Sequence, residues 1–443
     1  MGPATPLTYT ATVTLPAPKH DGLDKDTGLD DVRFQEEVIR LLLDAQEPRH
    51  IPDAWIETHP EKRLEMMVEL LENKEKMSPS SSQYWKLLRL IVKLARHSRT
   101  MIPRDIQVSV NDFTDGSRIG RGRSSEAYRT TMGEGRRPVV VKFIPSNHSP
   151  FTVNRRDYAR SIQEKTMPLF HLKHDNILEF IGLTEHRQLG LGIIAPFMEG
   201  GNLIEYMDQL EDKDKTFHHR NQWLHGIACG IHYLHGTAQI AHGKIRAANI
   251  LMDSNGVVKI SNFGLAVSPD TLTFGFQHAD SIAWTPPEDL WLDPPDRTFR
   301  QPTFSGDIYS FAVTCIEILE GVVPWDSTSP PDAMQILRGE RPPIPRIPDN
   351  ISEELAFALP IWWENDPRRR ATSQDVIAFF EHPTVEVQRP EPSVRHHKPS
   401  FDLFRLLCRV FPKETTFLES WAIRDFQYED VYPGSPVHIL FDE

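Results

Sequence analysis

The stretch Ala241-His242-Gly243-Lys244-Ile245-Arg246-Ala247-Ala248-Asn249-Ile250-Leu251 constrains this chain more than any other, together with Asn262-Phe263-Gly264 a little further on. It holds His242, Lys244, Arg246 and Asn249, leads into an apolar pair, and contains no acid. Other short patterns surround it in a set order. A glycine-bearing segment, Ile119-Gly120-Arg121-Gly122-Arg123-Ser124-Ser125-Glu126-Ala127, comes first. Glycines there let the backbone lie close over a ligand. Val139-Val140-Val141-Lys142-Phe143-Ile144 then reads as a buried strand carrying one lysine. His174-Asp175-Asn176-Ile177-Leu178 and Gly192 to Leu203 follow, and behind the central stretch come Trp284-Thr285-Pro286-Pro287-Glu288, Asp307-Ile308-Tyr309-Ser310-Phe311-Ala312 and Trp363-Glu364-Asn365-Asp366-Pro367-Arg368-Arg369-Arg370.

In this order the patterns resemble a protein kinase, over residues 113–380. The family's catalytic loop reads H-x-D-x-x-x-x-N and its metal loop D-F-G. Lys244 stands at the position of the catalytic aspartate and Asn262 at that of the magnesium aspartate, while Asn249 keeps the loop asparagine. The resemblance implies an α+β, bilobal protein-kinase-like fold: a small five-stranded N-lobe at 112–198 and a mostly helical C-lobe at 199–380. The His242-Gly243 pair, the helix after Asp307 and the W-x-x-D-P motif resemble the tyrosine-kinase-like branch. The chain is similar there to kinase-domain proteins of mushroom-forming fungi, which often carry a helical N-terminal extension.

The same resemblance implies a nucleotide site. Gly120 and Gly122 would lie over the phosphates, with Ser125 at the third glycine position and Ala127 at the position of the valine. Lys142 would hold the α- and β-phosphates and Glu164 would pair with Lys142; Gln163 is a one-residue register alternative. Pro168 predicts a kink or early end in the helix read over 156–172. Ala195 takes the gatekeeper position, Phe197 and Met198 the hinge, and Leu251 the floor. Val140 replaces an alanine that faces the adenine and crowds that slot. Arg121 and Arg123 either crowd the site or meet phosphates. Asp307 would brace the catalytic-loop backbone and Arg370 would pair with Glu288. Gly243 stands where the family has the arginine of H-R-D, so phosphate-pairing control of the activation segment is absent.

A working kinase needs a carboxylate for the acceptor hydroxyl, and a carboxylate with an asparagine for magnesium, a hard cation. A protonated lysine, with an ordinary pKa near ~10.4, is no base. Asn249 and Asn262 are the remaining metal positions, and a neutral amide at 262 is the poorer ligand. Magnesium is therefore a doubtful cofactor and ATP the candidate one, since Lys244 can approach a terminal phosphate directly. The expected function is a catalytically impaired kinase-like domain, a pseudokinase, acting as a signalling scaffold or nucleotide-responsive switch. One alternative is a weakly active ATP-dependent Ser/Thr or Tyr protein kinase with rearranged metal ligands, Asp270 or Glu126 replacing a lost carboxylate. The other is an interaction module that binds no nucleotide.

Composition bounds the remainder. The 443 residues suffice for one two-lobed domain with extensions. Residues 1–28, rich in Pro, Thr, Gly and Asp, read as disordered. Residues 29–104 read as helical: an apolar face from Val32 to Leu43, a helix opened by Pro60 with Leu64, Met67, Leu70 and Leu71 inward, and a third carrying Tyr84, Leu87, Leu88, Ile91, Val92 and Ala95. Lys86, Arg89, Lys93 and Arg96 give that third helix a basic face, either solvated or a contact for a partner. Residues 381–400 read as a linker and 401–443 as a tail with short helices. The net charge of -13 argues against a general nucleic-acid binder. Three scattered cysteines fit a reducing compartment. With no apolar run of membrane-span length and no signal peptide, an intracellular protein is expected, the cytoplasm ahead of the nucleus. Its expected partners are proteins, met through the helical extension, the C-lobe or the tail.

Overall fold

A computed structural model describes residues 60–72, 78–102, 108–111, 118–121, 125–143, 164, 166–186, 189–211, 217–262, 279–290, 302–325, 331, 333–345 and 351–381. Readings that fall on 1–59, Gly122, Arg123, Gln163, Phe263, Gly264, Asp270 and 382–443 lie outside the described residues. The chain divides into two compact units. The first takes the described parts of Met1–Phe197 with Tyr233–Gln239, and the second those of Met198–His232, Ile240–Gly264 and Leu272–Glu443.

The first unit opens with two helices, α1 (Pro60–Glu72) and α2 (Ser82–Ser98). Proline at the first position of α1 gives up only an amide that has no helical partner anyway. Ser81 caps α2 by accepting the Tyr84 amide at 3.2 Å, and the helix stops where Arg99 turns left-handed at φ 54. The sequence predicts one apolar face on α2. The structure buries most of its girth: Tyr84, Trp85, Leu87, Leu88, Leu90, Ile91, Leu94 and Ala95. The reason is that α2 is met from more than one side, by α1, by a π-helical turn at Tyr233–Ala238 and by His171 against Tyr84.

Five antiparallel strands follow in sheet order β1-β2-β3-β5-β4: β1 (Arg118–Arg121), β2 (Glu126–Met132), β3 (Arg137–Phe143), β4 (Gly182–His186) and β5 (Gly190–Pro196). On β3 the side chains alternate, as a two-residue period demands. Val139, Val141 and Phe143 point into a core with Ile194, so Val140 and Lys142 take the other face. Gly192 makes that core possible. A Cβ there would sit 2.5 Å from Val141 Cγ1 and 2.7 Å from the Phe143 ring. Pro168 lies in a helical run at 166–170 that ends directly afterwards, the His171 amide reaching the Pro168 carbonyl at 3.2 Å.

The second unit is mostly helical: α3 (Leu203–Gln209), α4 (Phe217–His232), the hairpin β6 (Ile250–Met252) and β7 (Val258–Ile260), then α5 (Pro287–Leu290), α6 (Phe304–Glu320), α7 (Ala333–Leu337), α8 (Glu353–Trp362) and α9 (Ser373–Glu381). Asn202 and Glu205 close a reciprocal capping box on α3. Helix α4 buries Leu224, Ile227, Ala228 and Ile231. Helix α6 is buried from Gly306 to Leu319, with Phe311 stacked on Trp362 at 5.8 Å. A five-stranded sheet with helices in one unit and a mostly helical second unit are the architecture that the motif order implied. Among the described residues no helix is long and apolar enough to cross a membrane.

Candidate functional site

In the first unit the site residues gather on the face of β3 turned away from the core. Residues directly opposite in an antiparallel pair share a face. Lys142 lies opposite Ala127 on β2 and Ile193 on β5, and Val140 lies opposite Ala195. Register alone thus brings Ala127, Val140, Lys142 and Ala195 together. Gly120 on β1 is opposite Ala127, and a Cβ built on Gly120 would sit in ordinary contact with the Ala127 Cβ at 3.7 Å. Ser125 precedes β2. Phe197 closes β5 with its amide on the Pro138 carbonyl at 3.2 Å, and the Arg129 guanidinium lies 4.1 Å over its ring. Glu126, a candidate replacement carboxylate, accepts the Tyr128 hydroxyl at 2.8 Å and faces Arg118 at 4.0 Å.

Glu164 is buried, and Arg96 of α2 donates to its Oε2 at 3.1 Å. Two more contacts tie α2 down in the same unit. The Tyr84 hydroxyl bonds His171 Nδ1, and Arg89 donates to the Ala238 carbonyl at 3.2 Å. Arg89 and Arg96 of the basic face are therefore spent within the chain rather than left to solvent. The sequence marked Arg96 as basic but gave no sign of its carboxylate, which lies on a distant segment.

In the second unit the central stretch is held from below by two acids of α6. Asp307 accepts the His242 and Gly243 amides, both at 2.7 Å. Glu317 accepts the Ala247 amide at 2.8 Å and the Trp284 indole N–H at 2.9 Å, both on Oε2. Its other oxygen is buried without a partner. Burial pushes the Glu317 carboxyl up to about 7, against the pull of those two donors and of Arg246. Sequence reasoning missed Glu317; the signal was an acid inside the apolar run Ala312 to Leu319. Arg370 donates to both oxygens of Glu288 at 2.7 Å, a fully buried guanidinium in a bidentate pair.

Gly243 explains the missing arginine of the motif. Its φ is +75, and a Cβ would meet Pro302 Cγ at 2.6 Å. The next residues form a closed polar chain. The Lys244 amide donates to His242 Nδ1 at 3.1 Å, so the ring's proton is on Nε2, which donates to the Ser261 carbonyl at 2.9 Å. Asn249 donates Nδ2 to the Lys244 carbonyl at 2.7 Å, and its Oδ1 accepts Nδ2 of Asn262 at 2.9 Å. Asn262 reaches it from a left-handed backbone, φ 62. Leu251 follows on β6, bridged to Asn202, and Met198 leads into the turn whose Gly200 and Gly201 pair with Met252.

Chemically, this set offers two neutral amides, one ammonium and no carboxylate. The amide oxygen that would face a metal already accepts an N–H. Such a donor set does not fit magnesium, which prefers charged oxygens in an octahedron. Among the described residues no group of three or more His, Cys, Asp or Glu could hold a metal ion. The Lys244 side chain is exposed, yet the protein around it and the charge of Arg246 lower its pKa from the ordinary value.

Residues 113–380 match the family described as protein tyrosine and serine/threonine kinase. The chain is 28% identical over 279 residues to a probable serine/threonine-protein kinase of Dictyostelium discoideum, covering 62% of this chain and 52% of that protein. It is 27% identical over 311 residues to mitogen-activated protein kinase kinase kinase 2 of Arabidopsis thaliana, covering 69% and 45%. It is 28% identical over 288 residues to the cytokinesis protein sepH of Emericella nidulans, covering 64% and 20%. The chain thus spans about half the length of the first two relatives and less of the third.

Proposed function

The chain belongs to the protein tyrosine and serine/threonine kinase family, and from that premise we propose that it is a member without effective phosphoryl transfer, a signalling scaffold or nucleotide-responsive switch. The observation that carries this reading is the bond from Asn262 Nδ2 to Asn249 Oδ1 at 2.9 Å. Two positions that serve magnesium in active members satisfy each other instead. Lys244 adds a charge of the wrong sign for a base. Its lowered pKa favours the neutral amine more than usual, but bound phosphates would raise it again. The finer placement, in the tyrosine-kinase-like branch beside mushroom-type fungal chains, is part of the same proposal. So is ATP as a ligand, with little need of metal.

Two measurements test it. The first is transfer of labelled phosphate from ATP, with magnesium or manganese, to the chain itself and to generic Ser/Thr and Tyr substrates. The expected result is no transfer above that of a Lys142→Ala control. The second is thermal unfolding against ATP with magnesium and with EDTA, because a ligand bound only by the folded state raises its stability. A shift in EDTA that is lost in Lys142→Ala supports the switch. A shift seen only with magnesium, accompanied by transfer, overturns the reading in favour of an enzyme.

A further inference from the structure

Lys244 raises a separate question: what an ammonium does where active members hold a base. The side chain is exposed, and among the described residues its ammonium has no hydrogen-bond or ion-pair partner. The acids that support the loop are committed elsewhere. Asp307 serves the His242 and Gly243 amides, and Glu317 serves the Ala247 amide and the Trp284 indole. Arg246 supplies a second cation two residues on, its guanidinium 5.7 Å from the Trp284 ring centre. Desolvation by the surrounding protein, and after it the charge of Arg246, lowers the pKa of Lys244.

In an active member the carboxylate at this position accepts the proton of the acceptor hydroxyl. Once that oxygen carries phosphate, the same carboxylate faces a new anion at close range and repels it. An ammonium at the position reverses the sign. A phosphorylated side chain carries about −1.5 to −2 charges and three strong acceptor oxygens. The loop that carries Lys244 is also held in place. Its backbone is fixed at His242 and Gly243 by Asp307, and at the Lys244 carbonyl by Asn249 at 2.7 Å. Neither Asn249 nor Asn262 adds negative charge.

We propose that the catalytic-loop position binds a phosphorylated side chain of a partner protein, its phosphate monoester pairing with the Lys244 ammonium beside Arg246. The loop then recognises the product of another kinase rather than forming one. This rests on the reading above that position 244 no longer serves a transfer reaction. It adds the ligand class through which a scaffold would select its partner. The terminal phosphate of a nucleotide shares this chemistry, so the test has an arm for each.

The experiment is fluorescence anisotropy on the full chain in EDTA. The probes are a labelled pentapeptide with one central phosphoserine among alanines and glycines, and its unphosphorylated twin. The phosphorylated peptide should bind about tenfold tighter or better, as a charge-assisted pair provides. Lys244→Ala should erase that ratio, Lys244→Arg should keep it, and Lys244→Asp should invert it. Because the side chain is exposed, the Ala and Arg variants should unfold at the wild-type temperature, and they carry the comparison if the Asp variant does not fold. Equal binding of the two peptides overturns the proposal, as does a ratio that Lys244→Ala leaves intact. ATP in EDTA is the third probe. If Lys244→Ala weakens ATP but not the phosphopeptide, the ammonium belongs to the nucleotide and the proposal fails. Lys244-dependent phosphoryl transfer would overturn the underlying reading of function. No transfer with equal peptide binding would overturn this inference alone.

Discussion

Glu317 is an acid that the fold prefers protonated. Its folded-state pKa of about 7 lies above the ordinary 4.5, so the folded chain holds a proton that the unfolded chain releases. The stabilisation is fully present below about 4.5 and is lost as pH rises to about 7. Glu317→Gln removes the titration while keeping an oxygen for Ala247 and Trp284. We expect the variant to show a flatter stability profile across that window, with a gain over wild type at pH 8 on the order of 3 kcal/mol at most. Urea unfolding at pH 5 and pH 8 checks it; parallel profiles for the two proteins would rule it out. At Gly243 the expectation is different. Gly243→Ala forces a side chain into a left-handed backbone against Pro302, and should cost about 1–3 kcal/mol by the same measurement. Residue identity made Lys244, Asn249 and Asn262 legible from the sequence, because each occupies a numbered place in a motif. The direction of the Asn262 amide and the burden on Glu317 were not legible, because both depend on partners that only folding brings near.

At the scale of elements, α2 is where the sequence and the structure part company. Periodicity identified the helix, since that signal is local. It could not show that two faces are buried, nor that Arg89 and Arg96 reach a carbonyl and a carboxylate 149 and 68 residues away. Trp85, buried with its indole N–H on the Pro79 carbonyl at 2.9 Å, is the largest anchor. Trp85→Ala should lower stability by about 3–5 kcal/mol, the range for an emptied aromatic site. Arg96→Ala, at an arginine 63% exposed, should cost no more than about 1 kcal/mol. Chemical denaturation that found the two equal would mean that α2 is held by its charges rather than by its apolar surface. The β3 strand shows the opposite case. There the apolar run with one lysine was legible as a strand, and the two-residue period of that strand puts Val139, Val141 and Phe143 in the core and Lys142 on the other face, while the register of β2 and β5 came only with the fold.

For the whole molecule, motif order sufficed to give the fold, because nine short patterns in sequence admit few architectures. It did not reveal that α2 belongs to the same compact unit as the sheet, or that Tyr233–Gln239 joins that unit rather than the one containing the rest of its helix. The family match begins at 113, beyond α2. A chain cut to 113–380 should therefore unfold at a lower temperature than one spanning 60–381, by several degrees, and expose the surface that α2 covers. Equal unfolding temperatures would show that the extension is a passenger. The paired amides of Asn249 and Asn262 carry one more implication, and it concerns how the two positions depend on each other. An acid placed at 244 alone would leave the neighbouring oxygen still engaged by an N–H. An acid placed at 262 alone would set a carboxylate against the Asn249 oxygen with no N–H between them. The bond therefore acts as a latch: neither position can be changed to an acid without the other feeling it.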